Sequence, residues 1–206
     1  EVGGVLPYDS VFSLCRKAGG RTAAISYSWM SELYSRAPYV SDRDRVQLDA
    51  EGSIQYGMYY WDDNYPDSHV FAEGECLRKT FDPDFMLYHT MAVDEWGHMK
   101  GADSAEYANA VAAVGHLIAA RMPEWLEKGY QVVVTADHGM NNLGIHVGTE
   151  HAQREVALYI FSDKVENGRF EENYISQLNV APLVCKLMGV PATEGMKQEL
   201  EIVFSK

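Results

Sequence analysis

Short apolar runs alternate along the chain with segments of helical periodicity, and this alternation constrains the fold more than any other feature. The runs are almost continuously apolar, which is typical of strands that are buried on both faces. Such strands, separated by helices, predict an α/β fold with a mostly parallel sheet and helices on both of its faces. The predicted strands are Arg21–Ser26, Phe85–Thr90, Gln131–Thr135 and Val156–Phe161.

Helices are predicted where a capping residue precedes apolar positions at helical spacing. Ser10 is expected to cap a first helix, and Asp103 with Glu106 has the spacing of a capping box before a second. Gly189 stands where a last helix should stop. The predicted helices cover Val11–Ala18, the residues that follow Asp103, and Ser176–Met188.

The length of 206 residues suits a single α/β domain, residues 1–206. Residues 38–80 are rich in aspartate and interrupted by proline, so we expect an irregular insertion or cap-like segment there. The chain begins at Glu1, with no basic region followed by an apolar stretch. We therefore expect a fragment whose natural N-terminus is absent, and secretion cannot be read from it.

The charge balance narrows the possible partners. Seventeen Lys and Arg against 30 Asp and Glu give a net charge of −13, which argues against binding a nucleic-acid duplex through a basic face. A phosphate-bearing small molecule is still compatible, because bound metal cations reverse the local field. No apolar run approaches the roughly 18 residues of a membrane span. The three cysteines form no CxxC pair, so a cysteine-based zinc site is not indicated.

Carboxylate and imidazole side chains follow two of the predicted strands. The carboxyl ends of strands in a parallel sheet lie at one edge, so these side chains are expected to converge there. Asp and His suit divalent cations when thiolates are absent; zinc is favoured, and manganese or iron would also fit. The candidate ligands are Asp94, His98, Asp137, His138 and His146.

The sequence also bears on the backbone around the candidate ligands and on the choice of the third histidine. Gly97 and Gly139 are expected to allow tight backbone bends that turn the ligands inward. His151 competes with His146 for the place of the third histidine, and spacing favours His146. Taken singly, each Asp/His pair could also be an ordinary capped turn.

Several segments together resemble the type I phosphodiesterase / nucleotide pyrophosphatase family of the alkaline phosphatase superfamily. The resemblance extends over nearly the whole chain, and its most specific part is DxxGH followed by DHGM. One departure is Val147, which stands where the family has a glycine. The matching segments are Phe12–Ala23 (LxRKAGxRTA), Asp94–His98 (DxxGH), Thr135–Met140 (TxDHGM), Gly144–Thr149 (GxHGGT), Arg154–Ile160 (REVPLYI) and Ala181–Pro191 (PT-helix-LLGVP).

The resemblance implies an alkaline-phosphatase-like fold, truncated at its N-terminus, and a centre with two divalent metal ions. Asp94, His98 and His146 would bind one ion, while Asp137 and His138 would contribute to the second. The family completes the second site with an upstream Asp and a Thr or Ser nucleophile, so no catalytic residue is assigned within this sequence. The two metals would clamp a phosphoryl group, and the hydroxyl nucleophile would form a covalent intermediate that water then hydrolyses.

The resemblance therefore predicts a hydrolase of phosphodiester or pyrophosphate bonds, acting on a small-molecule phosphodiester or nucleotide. The fragment alone is expected to have little or no activity, because its nucleophile is missing. A phosphomutase of the same superfamily is one alternative, although the match to REVPLYI favours the phosphodiesterase. A non-catalytic metal-binding domain and a sulfatase-like or phosphonate hydrolase are others. The substrate and the oligomeric state are not readable from the sequence.

Overall fold

The computed structural model describes residues 4–168, 174–196, 200 and 202–205. None of the helices in this part of the chain is long and apolar enough to span a bilayer. In chain order the described elements are α1 (Val11–Lys17), β1 (Thr22–Tyr27), α2 (Trp29–Tyr34), α3 (Ser41–Asp44), β2 (Val46–Gln47), β3 (Tyr56–Tyr60), α4 (Asp67–Phe81), β4 (Phe85–Tyr88), α5 (Ala92–Lys100), α6 (Ala105–Ala119), α7 (Met122–Glu127), β5 (Val132–Thr135), α8 (His151–Arg154), β6 (Leu158–Phe161), a 3₁₀ turn (Gln177–Asn179) and α9 (Val180–Met188).

The chain divides into two compact units. The described residues of the first unit lie within 1–62, 69–89 and 166–206, and those of the second lie within 63–68 and 90–165. The single domain expected from the length of the chain, and the cap-like segment at 38–80, stay predictions.

The central sheet lies in the first unit. Its described strands follow the order β2-β3-β1-β4, with β1 parallel to both β3 and β4 and β2 antiparallel to β3. In this register Ala24 of β1 faces Gly57 of β3 on one side and Leu87 of β4 on the other. The prediction of an α/β fold with a mostly parallel sheet is therefore confirmed.

The core of the first unit forms around strand β1. Residues Ala23, Ala24 and Ile25 are fully buried, as expected for an apolar run flanked by strands on both sides. A cluster of buried side chains joins this strand to α1 and to the segment before β3. It consists of Phe12, Ala24, Ile54 and Tyr59, with Met30, Tyr34, Tyr39, Phe85 and Leu87 packed against it.

Residues 38–80 are more regular than their composition suggests. They include β2, β3 and most of α4, and β3 lies inside the central sheet between β2 and β1. Tyr59 and Tyr60 of β3 are almost fully buried. Asp62, Asp63 and Pro66 lie in the connection that follows β3, where such residues favour turns.

Strands β5 and β6 depart from the predicted arrangement. The sequence places both in the parallel sheet, whereas the structure pairs them antiparallel with each other, with Val133 opposite Ile160. Their side chains are only half-buried or exposed, and Tyr159 and Phe161 of β6 are 57% and 40% exposed. Apolar character predicted the strands correctly but carries no information about which edge a strand joins.

The predicted helix caps are correct at two ends and wrong at one. Ser10 caps α1 through reciprocal hydrogen bonds with Ser13, and Gly189 ends α9 in the left-handed conformation. Helix α6 begins one residue later than its predicted capping box, because Ser104 rather than Asp103 is the N-cap. Ser104 Oγ accepts a hydrogen bond from Tyr107 N at 3.1 Å. Both residue types cap helices well, so the sequence does not distinguish them.

Candidate metal centre

Helix α5 carries two of the candidate ligands on one face. Asp94 and His98 are four residues apart, so their side chains lie one above the other on the helix surface. Gly97 lies between them and is buried, but it is helical and does not form the expected bend. A Cβ at Gly97 would come within 2.8 Å of the Met140 side chain. The glycine therefore lets the segment after β5 pack closely against α5.

Asp137 and His138 follow the end of β5, as predicted. Gly139, the next residue, donates its N–H to the carbonyl of Gln153 at 2.9 Å. A Cβ on Gly139 would lie 2.1 Å from the Ala152 carbonyl oxygen. Gly139 thus permits a close approach of two backbones rather than an unusual bend, and this contact holds the backbone next to His138.

The structure brings the Asp94 carboxylate between two imidazoles. Its Oδ2 lies 3.5 Å from His98 Nε2, and its Oδ1 lies 3.7 Å from His138 Nε2. The His146 ring stacks on His138 with a centroid separation of 3.8 Å and lies 5.0 Å from the His98 ring. Asp94, His98 and His146 each offer one ligand atom, and these atoms all lie within 4.8 Å of one another.

Backbone carbonyls set the tautomers of two of these histidines. His98 Nδ1 lies 2.8 Å from the Gly144 carbonyl oxygen, and His138 Nδ1 lies 3.0 Å from the carbonyl oxygen of Gly139. A carbonyl can only accept, so each Nδ1 must be the donor. Nε2 of each ring, the nitrogen that carries the lone pair whenever the imidazole is neutral, faces Asp94. This pattern, a ring N–H on a carbonyl and a free nitrogen toward a shared point, is typical of histidines that ligate metals.

The atoms around Asp94 fit a divalent cation. Nitrogen lone pairs and carboxylate oxygens repel each other unless a proton or a cation lies between them. Asp94 Oδ1 is buried and has no hydrogen-bond partner. Tetrahedral zinc, with bonds of about 2.0–2.1 Å, holds its ligand atoms about 3.4 Å apart. The 3.5 Å between Asp94 Oδ2 and His98 Nε2 matches that spacing.

The remaining candidate ligands differ in their exposure and in their distance from the cluster. Asp137 is largely exposed, and its Oδ2 lies 3.7 Å from His138 Nε2. His151 lies on α8 with its side chain 78% exposed, where it pairs with Glu155. Between the two histidines that the sequence left open, the structure places His146 beside Asp94 and His98.

Three residues near the cluster were not singled out from the sequence. Tyr107 on α6 packs against Gly97, and burial, with a smaller contribution from the Asp94 charge, raises the pKa of its phenol. Asp67 accepts hydrogen bonds from the backbone of Met91 and Ala92, at the start of α5. Asn141 is buried in the loop that carries His146. Of these, only Asn141 had a sequence signal, since Asn in a loop that ends in Gly favours a side-chain-capped turn.

A family model for type I phosphodiesterase / nucleotide pyrophosphatase matches residues 10–179. Among curated proteins, the mouse catalytic subunit of GPI ethanolamine phosphate transferase 3 is 27% identical over 157 residues, 72% of this chain and 14% of the transferase. The human protein is 29% identical over 115 residues, 54% of this chain and 10% of its own length. The 2,3-bisphosphoglycerate-independent phosphoglycerate mutase of Wolinella succinogenes is 31% identical over 121 residues, 57% of this chain and 23% of the mutase.

The chain thus spans less than a quarter of the length of each of these relatives. Among solved structures, murine ectonucleotide pyrophosphatase / phosphodiesterase 5, an inactive variant in complex with AMP, is 18% identical. It aligns with a TM-score of 0.44 over 63% of this chain and 32% of that chain.

Proposed function

Since the chain belongs to the type I phosphodiesterase / nucleotide pyrophosphatase family, we propose that it carries much of a metal centre that acts on phosphodiester or pyrophosphate bonds. Asp94, His98 and His146 hold one divalent ion, and Asp137 and His138 contribute to a second. Zinc suits this set of ligands best, because neutral imidazole and carboxylate are its usual partners in the absence of thiolates.

The observation that carries the proposal is the environment of Asp94. One of its oxygens is buried without a hydrogen-bond partner, and the Nε2 atoms of His98 and His138 lie 3.5 and 3.7 Å from the carboxylate. A buried acceptor without a donor costs about 1–3 kcal/mol, and a cation would remove that cost. The Gly144 and Gly139 carbonyls hold the two imidazoles ready, so little rearrangement is needed on binding.

Divalent ions at such a centre lower the pKa of a coordinated hydroxyl or water and stabilise charge on phosphoryl oxygens. The protein's own contribution is to fix the ligands and to keep Oδ1 of Asp94 out of bulk water. No residue of the chain is assigned as the nucleophile, so metal binding is the direct test of the proposal.

The test is a zinc titration of the purified, chelator-treated chain in competition with a chromophoric chelator. We expect tight binding by the wild type and a loss of affinity on the order of 100-fold for His98→Ala. His116→Ala, at an exposed histidine of α6 in the same unit, is the matched control and should bind like the wild type. Equal affinities for the wild type and His98→Ala would exclude the assignment.

A second candidate is transfer of a phosphoethanolamine group to an alcohol instead of hydrolysis. It is favoured by the mouse and human relatives, which are both named ethanolamine phosphate transferases. Both activities would use the proposed metal centre and would differ in the acceptor, which is water for a hydrolase and an alcohol for a transferase. Supplied with a phosphodiester and a competing alcohol, a hydrolase would release one alcohol of the substrate and leave a phosphomonoester. A transferase would release the same alcohol and form the phosphodiester of the competing alcohol.

The phosphoglycerate mutase relative keeps a phosphomutase as an alternative. A mutase would move the phosphoryl group within or between molecules of a phosphate monoester and would leave no free phosphate. A non-catalytic metal-binding domain would bind zinc in the titration above but would process none of these substrates. Product analysis with a phosphodiester and a phosphomonoester therefore separates the alternatives.

A further inference from the structure

The loop that carries His146 is organised around one buried amide side chain. Asn141 is 6% exposed, and its Oδ1 accepts hydrogen bonds from the N–H groups of Leu143 and Ile145, both at 3.0 Å. Its Nδ2 donates to Glu150 Oε2 at 3.2 Å. The main chain of Asn141 also pairs with Ile145 and Gly144. This single residue thus closes the turn from both its side chain and its backbone.

The turn places two candidate ligands at once. Gly144, held by the Asn141 carbonyl, has a positive φ of 75° and presents its own carbonyl to His98 Nδ1 at 2.8 Å. Ile145, whose N–H is bonded to Asn141 Oδ1, immediately precedes His146. The Gly144 carbonyl and the Ile145 N–H belong to one planar peptide group. The bond from Ile145 N–H to the Asn141 side chain therefore orients both the carbonyl that meets His98 and the backbone from which His146 extends.

Apolar packing does little to hold this loop. Leu143 and Val147 are 76% and 74% exposed, and Ile145 is 43% exposed. On the other side of the loop, Gln153 Nε2 donates to the carbonyls of Ile145 and Val147. Because hydrogen bonds carry the shape of the loop, removing the acceptor of Asn141 should change the position of both histidines.

We propose that Asn141 is a positioning residue for the metal ligands His98 and His146. The proposal rests on the proposed metal centre and deepens it, since it assigns the residue that prepares the site before the ion binds. Asn141 itself does not touch the ion. It holds the Ile145 N–H, and this bond fixes the Gly144 carbonyl that contacts His98 and the backbone that precedes His146.

The experiment compares zinc affinity and thermal unfolding of the chain for Asn141→Ala and for a matched control. Asn179→Ala removes an amide that is fully buried in the first unit, where its Nδ2 donates to the Ser176 carbonyl. Both variants should lower the melting temperature. Asn141→Ala should also weaken zinc binding roughly 10- to 100-fold, as is usual for residues that orient metal ligands. Asn179→Ala should leave zinc affinity within about twofold.

A purely structural contribution of Asn141 would lower the melting temperature and leave zinc affinity unchanged, and that result overturns the proposal. Failure of the wild type to bind zinc is a different outcome, because it removes the proposed metal centre as well. If Asn141→Ala does not fold, zinc affinity is measured instead for the double variant Asn141→Asp with Glu150→Gln. It keeps both acceptor contacts and reverses the direction of the contact with Glu150. Zinc affinity near that of the wild type then supports the proposal, and lost affinity in a folded protein contradicts it.

Discussion

The two units of the chain differ in the interactions that stabilise each of them internally. In the first unit, the leading residues of β1 are all buried, and β3 and β4 flank it in parallel register. In the second unit, the β5 side chains are half-buried or exposed, and β6 alternates half-buried with exposed positions. The candidate ligands of the second unit depend on polar contacts and close backbone approaches at Gly139, Gly144 and Asn141.

This difference predicts which substitutions should change stability and which should change metal affinity. Apolar burial is roughly proportional to area and tolerates small shifts, so it stabilises a fold without fixing atoms to a fraction of an ångström. Hydrogen bonds and glycine contacts are short and directional, so they are suited to holding metal ligands. Changes in the first unit should therefore act on stability, and changes around the loop of the second unit should act on metal affinity.

The largest expected effect is on the stability of the first unit. Ile25 in β1 is fully buried, so Ile25→Ala should lower the free energy of unfolding by about 2–5 kcal/mol. Val133→Ala in the half-buried β5 is the control and should cost about 1 kcal/mol. Urea unfolding measures both. The contrast between the units fails if the two losses are equal, or if Ile25→Ala weakens zinc binding of the folded protein.

Two glycines with nearly the same backbone conformation sharpen the contrast. Gly144 and Gly189 have φ values of 75° and 76°, but a Cβ on Gly144 would lie 2.7 Å from the His98 carbonyl oxygen, while one on Gly189 meets nothing within 4 Å. Gly189→Ala should therefore cost only the backbone strain, about 1 kcal/mol. Gly144→Ala should cost more and should weaken zinc binding about tenfold or more, because the carbonyl that orients His98 must move. Isothermal titration with zinc checks this, and equal zinc affinities for the two variants would contradict it.

A smaller effect concerns the start of α5. Burial raises the pKa of Asp67, although the N–H groups of Ala92 and Met91 partly oppose the shift. The folded state therefore holds the proton more tightly than the unfolded state. The stability from this group is present below the ordinary aspartate value of about 3.9, and it is lost as pH rises through the raised folded pKa.

Asp67→Asn should remove that pH dependence. The stability of the wild type minus that of the variant should fall as pH rises from about 4, because the wild type loses the contribution of the protonated carboxyl. Urea unfolding at a series of pH values measures the difference. Asp103→Asn, at an exposed carboxylate of the same unit, controls for the loss of a charge. A difference that grows with rising pH would show that the ionised carboxylate is the stabilising form.

Sequence patterns predicted the positions of the helices and strands well, and the pairing of the strands less well. The bounds of α1, β1 and β4 lie within one or two residues of the predictions, because apolar runs and caps are local signals. The pairing of β5 with β6 and the strand β3 were not predicted. Strand pairing depends on contacts far apart in the sequence, and the period of the side chains does not reveal them.

The same division applies to the candidate site. The residue types and spacing of Asp94, His98, His138 and His146 were sufficient to predict that they lie together, whereas their function as metal ligands stays a prediction. Tyr107 and Asp67 were not predicted as neighbours of the site. The packing of Tyr107 on Gly97 and the hydrogen bonds of Asp67 with Met91 and Ala92 are tertiary contacts that residue spacing does not reveal. Gly97 and Gly139 were identified correctly as special positions, but for close packing rather than for a bend.

The smallest expected effect is that of His151→Ala. Together with His146→Ala, it tests which of these two histidines is the third ligand, a choice that spacing alone could not decide. His146 stacks on His138, whereas the largely exposed side chain of His151 pairs with Glu155, the residue that follows α8. An exposed pair of this kind contributes about 0–1 kcal/mol. His151→Ala should therefore leave both the unfolding midpoint and zinc affinity nearly unchanged, within about twofold for the affinity, while His146→Ala should lose on the order of 100-fold in affinity. Competition titration of the two variants side by side measures this. The reverse order of affinities would mean that α8, and not the turn around Asn141, supplies the third imidazole.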